Sequence, residues 1–551
     1  MTGSNANARG SAVIAPGLAL LVPVVVFTGH NGYPWLRWEM LLLTAVIFTS
    51  GLVLGCVGLA TGLRGRVVVL ATAVALATEL HLMGTAKATK LGLALTAFVV
   101  VVVIGYVARE RLFRVGVPVL AVVILTTPFA EPGLALITET TSATLSGSER
   151  QDLAPVVHLL LDEQCGIDGI PDELESGRHL RTALTDFYVA HDFALYTHAY
   201  SRYYDSHNAI ANVLNLSSLA QDSGYQRVEG DAQTGTRVLE ENAYFRRLTA
   251  AGYRIRTYQS SYMDFSRDPE THVEYALTYQ INAIGNLKNL AVSAPQKAGL
   301  IFDSFTYASQ VFRFLRRTYA GLRTAAGGSD SALPAWTSVA KVVAVPAVAT
   351  LARLAADIAK GPNRGKVYFA HLTLPHYYYV YDERCALWPE LDSWMGRRAG
   401  RGRTENSPEQ RRERYEKYIA QSTCAKSLVE SVFVALRQAG DWEDAIVVVH
   451  GDHGSRINQH PPLARYRQLL TRSDYRDAFA TLFAIKKPGI VAGTNDTPAA
   501  VQDLLHLVVD GGNPAPAAPY VFLRGKRGAL QRVPFPGVEP EPSSTATAIP
   551  Q

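Results

Sequence analysis

The first 131 residues of this 551-residue chain hold five apolar runs, at about 12–28, 40–61, 67–84, 91–108 and 115–130. Each approaches the ~20 residues a helix needs to cross a bilayer. A chain that begins this way must place its first quarter in lipid. That excludes a wholly soluble or a disordered protein. The first run is short and follows Arg9, so by itself it also fits the apolar part of a signal peptide. The four runs behind it favour a polytopic bundle of about five helices.

Charge gives the bundle a direction. Residues 1–131 contain nine Lys and Arg against four Glu, which accounts for the whole net charge of +5, and the remaining residues balance. A nucleic-acid partner recruited by bulk charge is therefore excluded. With the N-terminus inside, Arg9, Arg64, Arg66, Arg109, Arg111 and Arg114 are cytoplasmic, and only Arg37, Lys87 and Lys90 lie outside. Six against three favours that orientation. An odd number of spans then puts everything after residue 131 outside the cytoplasmic membrane, in a periplasmic or extracellular space. Trp35 and Trp38 flank Arg37 as an interfacial belt does. Glu79 and His81 near the end of the third run fit either an intramembrane function or a helix end at headgroup depth.

Beyond a Thr-, Ser- and Gly-rich linker at 132–152, strand-like runs alternate with helical patterns over 153–532, before a Pro- and Ser-rich tail at 533–551 that reads as disordered. The alternation predicts an α/β domain with a largely parallel sheet. Cys165, Cys385 and Cys424 lie in this domain. Its compartment permits disulfides, and Cys385 with Cys424 is the expected pair.

Two predicted strands end in chemistry. "VVVHGDHGSR" (447–456) delivers Asp452 and His453 on one tight turn between Gly451 and Gly454. A carboxylate and an imidazole together suit Zn²⁺ or Mn²⁺, with Mg²⁺ as a further option. Strand ends of an open α/β sheet are where ligands gather. "VVHLLLDEQ" (156–164) delivers Asp162 and Glu163, and either carboxylate could complete a metal cage. In "FAHLTLPHYYYVYDE" (369–383), His371 and His376 flank a strand end, where an imidazole can contact phosphate or metal. Ser206 precedes a helical stretch in "YDSHNAIANVL". The local pattern fits an activated hydroxyl and an N-cap equally.

The order of these pieces resembles the alkaline phosphatase/sulfatase superfamily: a strand-end acid, a hydroxyl at a helix start, a late His-bearing loop, then Asp-His-Gly. Five spans ahead of such a domain are similar to the lipoteichoic acid synthase and phosphoethanolamine transferase branch. In that resemblance "GDHGSRINQH" is the metal loop with a trailing histidine, His460. "LPHYYYVYD" is the loop whose histidine, His376, binds the transferred group, with His371 beside it. Ser206 falls where the branch has its nucleophile. The chain departs from the pattern in having Ser for the usual Thr, and Ala211 where Pro is expected. The sulfatase signature x-Pro-Ser-Arg after the nucleophile is absent, so formylglycine chemistry is not expected.

The resemblance implies a metal-dependent transferase. It would move a phosphoglycerol- or phosphoethanolamine-type group from a membrane phospholipid to an envelope glycan or lipid hydroxyl through Ser206. The alternatives are an extracytoplasmic phosphatase, phosphodiesterase or sulfatase-like hydrolase, or a non-catalytic scaffold for envelope assembly.

Overall fold

The computed structural model describes residues 2–82, 87–126, 135–142, 150, 152–216, 236–326, 339–396, 407–511, 518–526 and 529–536. Most of the linker expected at 132–152, and the tail beyond residue 536, lie outside these residues. The chain divides into two compact units, 1–136 with 282–340 and 389–392, and 137–281 with 341–388 and 393–551.

The apolar runs of the first unit form five helices: α1 (Thr2–His30), α2 (Trp38–Ala60), α3 (Gly62–His81), α4 (Lys87–Ala108) and α5 (Glu110–Thr126). Small residues let α1 and α2 touch. A Cβ on Gly51 would lie 2.3 Å from Gly17 Cα, and one on Gly55 2.2 Å from the Val13 carbonyl oxygen. Such stripes let helix backbones approach closely in lipid. Three segments, Arg9–His30, Trp38–Ala60 and Ala88–Ala108, are long and apolar enough to cross a membrane. They are the signature of a membrane anchor. Five helices stand where five spans are expected; among the described residues α3, with Arg64, Arg66 and Glu79, and α5, with 17 residues, are the two less apolar or shorter ones.

In the second unit a nine-stranded sheet is built from β1 (Ile137–Thr141), β2 (Val156–Leu161), β3 (Ala194–Tyr196), β4 (Arg254–Ser260), β5 (Val273–Tyr279), β6 (Lys366–Leu372), β7 (Ile446–Gly451), β8 (Phe483–Lys486) and β9 (Gly493–Asn495). Its order is β1-β5-β4-β6-β2-β7-β8-β3-β9. The run β5-β4-β6-β2-β7 is parallel, while β1, and β8 against both its neighbours, pair antiparallel. This is the expected α/β domain with a largely parallel sheet. All six residues of β2 are buried, as befits a central strand covered on both faces.

The longer helices of this unit, among the described residues, are α6 (Glu175–Ala190), α7 (Ser206–Leu214), α8 (Ala243–Ala250), α11 (Val345–Lys360), α12 (Pro408–Gln438) and α13 (Arg472–Phe479). Val156 and Leu160 of β2, Val367 and Phe369 of β6 and Val448 of β7 share one core with Ile210 and Leu214 of α7 and Phe245 of α8. On the same face, neutral His158 and His450 meet Nε2 to Nε2 at 2.7 Å. Burial lowers the pKa of both, to about 4 for His450.

The intervening helices α9 (Ala294–Thr306) and α10 (Gln310–Ala325) belong to the first unit, although the sequence places them inside the α/β domain. The reason is apolar packing: Phe305 of α9 lies 5.5 Å from Phe27 of α1, ring to ring.

Candidate active site

Register and alternation position the chemistry. Leu161 of β2 stands level with Leu372 of β6 and with Gly451 of β7, so Asp162, Thr373 and Asp452 leave three adjacent strands on one rung. Side chains alternate across a strand. Asp162 therefore continues the face of Leu160, Asp452 that of Val448 and His450, and His371 that of Val367 and Phe369. That face is the one covered by α7, whose first residue is Ser206.

Asp162, Asp452 and His453 are fully enclosed, and one potential ligand atom from each lies within 4.8 Å of the others. Ser206 Oγ is 3.1 Å from His453 Nε2 and 3.5 Å from Asp162 Oδ1. The hydrogen bonds show what the cluster lacks. His453 Nδ1 donates to the Gly454 carbonyl at 2.9 Å, which leaves the neutral ring with its lone pair on Nε2. That atom faces Asp452 Oδ2 at 3.1 Å, and Asp452 Oδ2 has no hydrogen-bond partner. The other oxygen, Oδ1, accepts from the backbone N–H of Glu163 and of His453, both at 2.9 Å. Asp162, Asp452 and His453 thus turn acceptor atoms toward one another, with the Ser206 hydroxyl among them, and a ligating imidazole typically has its second nitrogen fixed in this way. The donor set fits a divalent cation.

Electrostatics agree. Burial and the adjacent Asp162 charge push the Asp452 carboxyl well above the usual range. Burial would also raise Asp162, but His376, His371 and His453 around it hold it below that range. His371 is buried, its Nδ1 3.5 Å from Ser260 Oγ and its Nε2 3.8 Å from Asp162 Oδ2. It stands beside the cluster rather than in it.

Glu163 is turned elsewhere. Its side chain accepts from Arg456 Nε at 2.9 Å, from Arg456 Nη2, and from the Tyr377 backbone N–H at 3.1 Å. It is absent from the ligand cluster, because one step along the chain changes its face. Both partners adopt left-handed backbone, φ 64° at Glu163 and 60° at Arg456, conformations that cost about 1–3 kcal/mol each. His376 lies at the partly exposed rim, Nε2 4.0 Å from Glu163 Oε1. His460 pairs instead with Asp474 at the start of α13, Nδ1 to Oδ2 3.5 Å.

Three residues carry roles that the sequence did not reveal. Arg456 supplies a buried cation to Glu163. Tyr418 of α12 donates to the Glu163 carbonyl and accepts from the Cys165 N–H, both at 2.8 Å. Asp477 of α13 accepts from Ser455 Oγ and from the Asn458 N–H, tying down the loop after His453. Only Arg456 left a signal, a lone cation in the small-residue run "GDHGSR". The two glycines serve close approach rather than an unusual dihedral: a Cβ would lie 2.2 Å from the Gln164 carbonyl oxygen at Gly451, and 2.0 Å from that of Asp477 at Gly454. The expected disulfide joins Cys385 to Cys424, fastening the chain beyond His376 to α12. Cys165 stays a buried thiol, pushed up to about 12 by burial.

Residues 337–510, which include the Asp452–His453 turn and the His376 loop, match the sulfatase family model. Over that stretch the resemblance to the alkaline phosphatase/sulfatase superfamily is supported. Solved structures similar to this chain include the C-terminal periplasmic domain of EcEptC from Escherichia coli in complex with Zn, at 14% identity over 74% of this chain and 97% of that one, TM-score 0.38. The phosphonate monoester hydrolase of Silicibacter pomeroyi is 13% identical over 67% and 79%, TM-score 0.37. That of Agrobacterium radiobacter is 12% identical over 67% and 80%, TM-score 0.37. No curated protein matches the chain.

Proposed function

We propose that this chain transfers a phosphoglycerol- or phosphoethanolamine-type group from a membrane phospholipid to an envelope glycan or lipid hydroxyl. The observation that carries the reading is the Ser206 hydroxyl, at the start of a helix and 3.1 Å from His453 Nε2 beside two buried carboxylates. Asp162, Asp452 and His453 would hold one divalent ion, Mn²⁺ or Zn²⁺ with Mg²⁺ as a further option. Such an ion lowers the pKa of a neighbouring hydroxyl and offsets charge developing on phosphoryl oxygens.

Ser206, its hydroxyl proton given up to solvent beforehand, attacks phosphorus through the Oγ alkoxide, the bond to the diacylglycerol oxygen breaks, and a phospho-serine ester forms. The first amides of α7 face the anionic group. His376, at the rim, protonates the departing oxygen and later takes the proton of the acceptor hydroxyl. That hydroxyl then displaces Ser206. The basic residues of the first unit favour an N-terminus inside and catalysis on the outer face of the cytoplasmic membrane.

The test incubates the full chain with labelled phosphatidylglycerol or phosphatidylethanolamine and follows diacylglycerol release with and without Mn²⁺. Ser206→Ala should lower release by about 10³-fold or more and leave metal binding intact. Mass spectrometry should find the adduct on Ser206, and an adduct on Thr197 or Ser201 sinks the assignment. The sulfatase-family match also favours a hydrolase. Release of free phosphoglycerol or phosphoethanolamine, with no modified acceptor, would establish that reading instead.

A further inference from the structure

Between Asp303 and Asp330 the sequence has no acidic residue and four arginines, at 313, 316, 317 and 323. Most of this stretch is α10. One side of it is fixed to the first unit: Phe312 packs on Phe302 at 5.4 Å, and Arg316 reaches Asp303 at 3.3 Å and Thr306 Oγ1 at 2.9 Å. The opposite side is apolar and uncovered. Val311, Phe314, Leu315 and Leu322 recur at helical spacing, between 45% and 67% exposed. Such a stripe spans about 100° of the helix surface.

The attachments of α9 and α10 all lie at one end of the bundle. Phe305 meets Phe27 in the last turn of α1, and the Lys288 carbonyl, just before α9, accepts from Arg37 at the entry of α2. Glu79, in the last turn of α3 and 5% exposed, accepts from Ser309 Oγ and from the Gln310 N–H, both at 2.6 Å. It thereby caps α10. An apolar stripe with a cationic border, held level with the ends of membrane-spanning helices, matches the pattern of helices that lie in the headgroup layer.

We propose that α10 is such an interfacial helix and that its occupant is a bilayer surface containing anionic phospholipid. The apolar stripe enters the acyl boundary, and Arg313 and Arg317 beside it meet lipid phosphates. Each arginine near an anionic surface contributes about a fivefold preference. The inference is independent of catalysis.

Full-length protein in lipid nanodiscs tests it. A nitrobenzoxadiazole label is placed at Phe314→Cys, and separately at Leu322→Cys, in a Cys56→Ser background. The reference label is at Val491→Cys, an exposed site of the other unit. Spin-labelled phospholipid should quench positions 314 and 322 several-fold more than 491. Exchanging phosphatidylcholine for phosphatidylglycerol should strengthen that quenching, and Arg313→Glu with Arg317→Glu should abolish the gain. Equal quenching at all three sites overturns the proposal. So does a stripe shielded from lipid that forms 314–314 crosslinks, which would make the occupant a second copy. Quenching indifferent to lipid charge overturns the anionic-lipid assignment.

Discussion

Replacing Asp452 by asparagine tests the reading of the ligand cluster through stability alone. Asp162 and Asp452 are buried carboxylates with ligand atoms within 4.8 Å. Two unit charges at that distance repel by about 3 kcal/mol at an effective dielectric near 20. The folded pKa of Asp452 is raised by burial and by Asp162. Its contribution is therefore most favourable below the unfolded value near 4 and is lost as pH rises through the folded value. The side-chain amide of the variant keeps an oxygen for the Glu163 and His453 backbone N–H groups and carries no charge. In chelator at pH 7.5, Asp452→Asn should accordingly be the more stable protein, by up to about 3 kcal/mol.

Metal reverses the ranking. A ligand at 1,000 times its Kd adds about 4 kcal/mol to the wild type, and the variant should gain little. Denaturant unfolding followed by tryptophan fluorescence reads both arms, because Trp394 and Trp442 are buried in the α/β unit. A variant less stable than wild type in chelator, or one that responds to Mn²⁺ or Zn²⁺ as the wild type does, refutes the reasoning.

Arg456→Ala strands the Glu163 carboxylate in the interior and should cost about 3–5 kcal/mol by denaturant melt, with Glu163→Gln restoring much of it in the double variant. His450 titrates near 4 in the fold against about 6.5 unfolded. Its contribution is full above pH 6.5 and disappears as pH falls to 4, a loss of about 3 kcal/mol. Stability curves of wild type and His450→Asn should therefore converge on acidification, and parallel curves would contradict the buried neutral imidazole. Removing the Cys385–Cys424 bridge, which joins residues 39 apart, should cost about 3–4 kcal/mol of chain entropy and speed limited proteolysis within 377–396.

What could be seen in the sequence followed the strength of local patterns. The apolar runs and the two strand ends stood out because lipid and a buried parallel sheet both demand long uninterrupted apolar stretches. The choice between Asp162 and Glu163 did not, since both follow the same strand. It turns on which face α7 covers, a fact set by packing far away in sequence. His376 and His460 looked alike as loop histidines, and only the fold separates a site at the rim from a partner of Asp474. Tyr418 was invisible for a related reason: a tyrosine on a long helix carries no local mark of the Glu163 carbonyl it will meet. The fate of 282–340 was hidden too, because amphipathic helices read the same whichever unit they join.

That last segment bears on how the protein is made and cut. The N-terminal helices are finished by a piece of chain more than 150 residues downstream, so the first unit stays incomplete until α10 has been synthesised. A fragment starting at residue 137 would carry α9 and α10 stripped of Phe27, Arg37 and Glu79, with their apolar faces newly bare. It should aggregate, whereas a fragment that also replaces 282–340 with a short polar loop should remain dispersed. Solubility of those two fragments would show that the border between the units runs through the middle of the gene as well as near its start.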